Sequence, residues 1–99
     1  MSWKVEFVPS NSTELVRSDG SRTVGMTDIN KHTVFLSDNL RGPFLRKVFI
    51  HEICHVAILS YGIPMGIEQE EFLCDFIASY GDEIFDIVDN FFAILKKYA

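Results

Sequence analysis

The sequence predicts an α+β domain, a small antiparallel sheet of about three strands followed by three helices. Three observations predict it. Short alternating or β-branched runs occupy the first part of the chain, long apolar runs with helical spacing occupy the rest, and Gly or Pro stands at most of the boundaries. With 99 residues there is room for one core, so residues 1–99 are read as a single domain.

Trp3-Lys4-Val5-Glu6-Phe7-Val8 alternates apolar and polar residues and stops at Pro9, the pattern of a half-buried strand. The polar stretch 10–20 reads as a loop, in which Asn11 and Glu14 have capping-box spacing for one helical turn near Thr13–Arg17. Thr23–Asp28 and Thr33–Ser37 flank Ile29-Asn30-Lys31-His32 and read as a hairpin, with Trp3–Val8 as the third strand. Gly42-Pro43 then opens a helix over Phe44–Tyr61, which Gly62 closes. This helix is apolar nearly all round and is expected to be buried. A second helix runs from about Ile67 to Tyr80. Gly81 breaks the chain there, and Asp82 caps a third helix over about Glu83–Lys97, with Lys96 and Lys97 at its negative end.

A hydrophobic share of 47% with 13% aromatics argues for a packed core and against disorder. The net charge of −5 is uneven: residues 1–66 hold seven Lys/Arg against six Asp/Glu, residues 67–99 two Lys against eight Asp/Glu. No basic stripe exists, so nucleic acid is not an expected partner. No apolar run reaches the ~20 residues of a membrane span, and the N-terminus has no apolar signal core, so a cytoplasmic protein is expected. Cys54 and Cys74 fall in apolar helical patterns and read as free, buried thiols.

The chemistry is concentrated in His51-Glu52-Ile53-Cys54-His55, an HExxH motif inside the apolar helix. Residues four apart share a helical face, so both imidazoles can aim at one point. Two histidines and a glutamate on a buried helix need partners, and a Zn²⁺ ion supplies them. A catalytic zinc needs a third protein ligand and an open position. The chain after His55 does not continue to a third motif histidine, which turns attention to Glu68, Glu70 and Glu71 on the next helix. Phe72, Leu73, Phe76, Ile77 and Tyr80 make a large apolar face of that helix. Glu71, Cys74, Asp75 and Ala78 make a face of smaller residues that can approach the central helix closely. Glu71 is therefore the leading candidate, Glu70 the main competitor, and Asp75 a group to hydrogen-bond a ligand histidine from behind.

With Glu71 and Asp75 following the HExxH, the chain resembles a gluzincin, and its compact layout is similar to the small ImmA/IrrE-like metallopeptidases and related minimal zincins of phages and mobile elements. The resemblance covers roughly Thr23 to Tyr80. It implies a zinc-dependent endopeptidase with a protein or peptide substrate: His51, His55 and Glu71 hold the ion, a water takes the fourth position, and Glu52 is the general base. Thr33–Ser37 is the expected edge strand for an extended substrate, and Tyr61, Tyr80 and His32 are candidates to stabilise the oxyanion. The alternative is a non-catalytic metal-binding module used for interaction. The aromatic third helix, with Phe85, Phe91 and Phe92, closes the protein's own core or joins two copies, so a monomer or weak homodimer is expected.

Overall fold

The computed structural model describes residues 2–98. The α+β class holds, with β1 at Lys4–Val8, a single 3-10 turn at Thr13–Leu15, β2 at Gly25–Asp28, β3 at Thr33–Ser37, α1 at Gly42–Ser60 and α2 at Ile67–Lys97. The sheet order is β1-β3-β2, with β2 antiparallel to β3 as a hairpin requires.

Three expectations are corrected. The sheet is mixed rather than antiparallel, because β1 pairs parallel to β3, in register from Lys4 opposite Thr33 to Val8 opposite Ser37. A parallel pair needs a long connection, and residues 9–32 provide it through the 3-10 turn and β2. Thr33–Ser37 is accordingly the central strand, buried along its whole length and bonded on both sides, so it is no edge for a substrate. Its unbroken apolar character is that of a strand covered on both faces.

The third correction concerns the helices. There is no break at Gly81, and α2 runs unbroken for 31 residues. One interior glycine costs only about 1 kcal/mol of helix propensity, and the apolar spacing runs through it without a phase change. Asp82 does not cap a new helix. Its carboxylate takes the Arg46 guanidinium of α1 in two 2.7 Å hydrogen bonds and so is directed across the helix pair.

The core lies on both faces of β3. Val34 and Leu36 face α1 and join Leu40 and Val56, with Trp3, Leu45, Val48 and Phe49 at the margin. Phe35 points to the other face, where Val8 and Leu15 cover it and Met26 packs alongside. The early turn is capped by Ser12, whose Oγ accepts from the Glu14 N–H at 3.2 Å, and not by Asn11. It is short, but it places the fully buried Leu15 under the sheet.

Helix α1 is less buried than its composition suggests. Val56 and Ile58 are inside, whereas Phe44, Ile53 and Leu59 are exposed. A 99-residue domain lacks the layers to cover a helix all round. At its end Gly62 takes φ 60°, and the Ile63 N–H reaches back to the Ile58 carbonyl at 3.1 Å, which is the expected glycine cap. Helix α2 then turns back along α1 with its small-residue face inward, Cys74 fully buried. Among the described residues no helix is long and apolar enough to cross a membrane.

Candidate metal centre

α1 brings His51 and His55 to the face that looks at β2 and α2. Their Nε2 atoms are 3.1 Å apart with rings nearly perpendicular. His51, Glu52 and His55 hold ligand atoms within 4.8 Å of one another and could hold a metal ion. Glu52 is the more distant member, its Oε2 being 3.9 Å from His51 Nε2. Glu71 of α2 is nearer to both rings: its Oε2 is 3.2 Å from His51 Nε2 and its Oε1 is 3.1 Å from His55 Nε2.

Behind the rings stand two more carboxylates. Asp75 Oδ1 is 2.8 Å from His51 Nδ1 and Glu70 Oε2 is 2.5 Å from His55 Nδ1. These contacts favour the tautomer with the proton on Nδ1. His55 Nδ1 is hydrogen-bonded to Glu70 and Asp75 lies beside His51 Nδ1; a proton on each Nδ1 leaves the Nε2 lone pairs free for a metal. In that tautomer two lone pairs and the Glu71 carboxylate face one another at 3.1–3.2 Å, and a cation among them would relieve their repulsion. Zinc bonds of about 2.0 Å at tetrahedral angles put neighbouring donors about 3.3 Å apart, so the spacing fits.

The three acidic candidates of α2 thus separate. Glu71 faces both Nε2 atoms, Glu70 backs His55, and Glu68 in the exposed first turn has no contact with the histidines. Asp75 stands behind His51 as its position one turn after Glu71 suggests.

Glu52 is 7% exposed, so its carboxylate must be held. Thr27 of β2 holds it, its Oγ1 donating to Glu52 Oε1 at 2.7 Å. The strand can come this close because residue 25 is glycine. A Cβ there would lie 2.8 Å from Val48 Cγ1 and 3.1 Å from Glu52 Cγ. Gly25, Met26 and Thr27 of β2 form one wall of a cleft of about 210 Å³ whose other walls carry His51, Glu52, His55, Glu70 and Glu71. Arg17, on the loop before β2, also lines this cleft, its guanidinium donating to Thr23 Oγ1 at 3.2 Å.

The sequence does not mark Thr27, Gly25 or Arg17, since their roles come from pairing between distant segments. Conversely, the expected oxyanion groups do not come to the cleft. His32 stacks flat on Trp3 with ring centroids 4.7 Å apart, Tyr80 packs on Phe76, and Tyr61 is exposed.

Cys74 lies fully buried on α2 beside Cys54 of α1, both as free thiols. Burial pushes the Cys74 thiol well up from its ordinary value, and the Cys54 thiol next to it adds to the shift. This keeps it protonated and inert.

No family model, curated protein or solved structure matches the chain.

Proposed function

We propose that the protein is a zinc-dependent endopeptidase of minimal gluzincin type, with His51, His55 and Glu71 as ligands and Glu52 as general base. One observation carries this reading. Both Nε2 atoms and the Glu71 carboxylate converge, with Glu70 and Asp75 against the Nδ1 sides of the rings, beside a Glu52 that Thr27 fixes. A structural zinc site has no use for that glutamate, and such sites are usually rich in cysteine. A bound zinc ion supplies Lewis acidity, polarising a carbonyl and making a water a better nucleophile at neutral pH.

The remaining steps belong to the chain. β2 is an edge strand beside the site, so an extended peptide adds to the sheet along Gly25–Asp28 rather than along β3. Glu52 takes a proton from the water as its oxygen attacks the scissile carbonyl carbon, and returns it to the amine nitrogen as the carbon–nitrogen bond breaks. Arg17 lines the same cleft, which His32, Tyr61 and Tyr80 do not, and its role in this reading is to neutralise charge growing on the carbonyl oxygen.

A metal-binding interaction module is the second reading, favoured by the small cleft and the large exposed apolar surface of α2. Glu52→Gln separates the two. With metal content measured beside cleavage of a peptide library, the peptidase reading requires stoichiometric zinc in both proteins and cleavage by the native chain alone. Absence of bound metal in the native protein defeats both readings. Metal without cleavage in either protein defeats the first.

A further inference from the structure

Seven-residue spacing organises α2. Cys74, Gly81, Val88 and Leu95 form one row, and Ile77, Ile84 and Phe91 form the row beside it. In the first half of the helix this seam lies against α1, with Cys74 and Gly81 buried. α1 ends its run alongside at the Arg46–Asp82 clasp, yet the seam continues. Every residue from Asp82 to Tyr98 is exposed, and the molecule measures 55 × 32 × 25 Å. The uncovered half is therefore a continuation of an interface that the protein already uses.

Nine large apolar side chains between Ile84 and Tyr98 are 42–83% exposed. At roughly 100 Å² each they offer on the order of 900 Å², about what one partner contributes to a standard stable interface. The polar positions are equally ordered. Asp82, Glu83, Asp86 and Asp89 occupy the first part of the segment, Lys96 and Lys97 the last.

We infer that this half of α2 pairs with the same half of a second copy, antiparallel, about a two-fold axis near Asp89 and Asn90. Antiparallel pairing lays the acidic first half of each segment along the lysine-bearing end of the other copy, whereas parallel pairing lays like charge along like. In this register Ile84 opposes Leu95 and Val88 opposes Phe91, at both ends alike, as a two-fold interface demands. The overlap from Asp82 to Lys97 is about 24 Å long. Each helix thus ends where the other copy's globule begins, beside Arg46 and the apolar groove that Arg46 lines with Val5, Phe7, Leu45 and Phe49. A lipid surface is the poorer match, because helices that lie on membranes carry Lys and Arg along the polar face, and this one is acidic over most of its length. The pairing leaves both metal clefts free and does not depend on the peptidase reading.

Light scattering on the full chain, from low to high micromolar concentration, is the first test, and a concentration-dependent dimer is expected. Phe91→Glu raises the dissociation constant about thirtyfold or more while the far-ultraviolet circular dichroism and the metal content stay unchanged. Glu83→Lys also weakens the dimer, and mixing that chain with the Lys96→Glu/Lys97→Glu chain restores it. Under oxidation, Ile84→Cys and Leu95→Cys chains cross-link when mixed and not alone. A chain that remains monomeric throughout, a Leu95→Cys chain that cross-links to itself, or a face that floats with phospholipid vesicles while the protein is monomeric overturns the inference.

Discussion

Replacing Gly25 by alanine tests the contact on which the cleft is built. The new Cβ lies 2.8 Å from Val48 Cγ1, 3.1 Å from Glu52 Cγ and 3.4 Å from Glu52 Oε2. Carbon atoms in good contact stand about 3.5–4.0 Å apart, so the first overlap is about 0.7 Å. Val48 is β-branched within a helix and has one strongly preferred rotamer, so it cannot swing away. β2 moves off α1 instead. Overpacking of this kind costs about 1–3 kcal/mol, and the better strand propensity of alanine returns about 0.5–1 kcal/mol. The mid-values leave a net loss of about 1 kcal/mol, which lowers Tm by about 4–8 °C in a domain of this size. The same movement stretches the 2.7 Å Thr27–Glu52 hydrogen bond and shifts Glu52, the proposed base. A displacement near 1 Å costs about a hundredfold in rate, so kcat/KM falls far more than stability does. Metal content is unchanged, because His51, His55 and Glu71 all stand on the helices. Thermal unfolding, peptide cleavage and metal analysis on the one variant read all three. A Gly25→Ala protein as stable as the native one would refute the close approach of β2 to α1. Native cleavage in a destabilised variant would refute the role given to Thr27.

Glu71→Gln is expected to weaken metal binding more than Glu70→Gln, whose effect is about 10–100-fold; zinc titration against a chelator ranks them, and the reverse order exchanges the roles of the two residues. On the peptidase reading Arg17→Ala lowers kcat/KM by about a hundredfold with metal affinity unchanged, measured by cleavage of one peptide with the native and the variant protein. Stability falls as pH rises above 9.0, the ordinary thiol value. There the unfolded chain loses the Cys74 proton and the folded one keeps it, so the folded state binds more protons and higher pH favours unfolding. Denaturant titrations at several pH values show this fall in the native protein and a shallower one in Cys74→Ala.

Local spacing alone makes the histidine pair readable. His51 and His55 lie one turn apart on any helix, and Glu71 and Asp75 repeat the relation on the next. Spacing also identifies the small-residue face of α2, since Cys74 and Ala78 differ in volume from Phe72 and Phe76 wherever the helix is placed. It does not supply the partner of each segment. Gly81 and Asp82 look like a helix break and cap until Arg46 is seen to hold Asp82 from α1. Thr33–Ser37 looks like an edge until β1 is found parallel beside it. Thr27 carries no local mark of its hold on Glu52, 25 positions away. A helix repeats its geometry every 3.6 residues, and so writes its faces into the sequence. Strand order and contacts between elements depend on loop paths and on which surfaces bury one another, and those are properties of the folded chain.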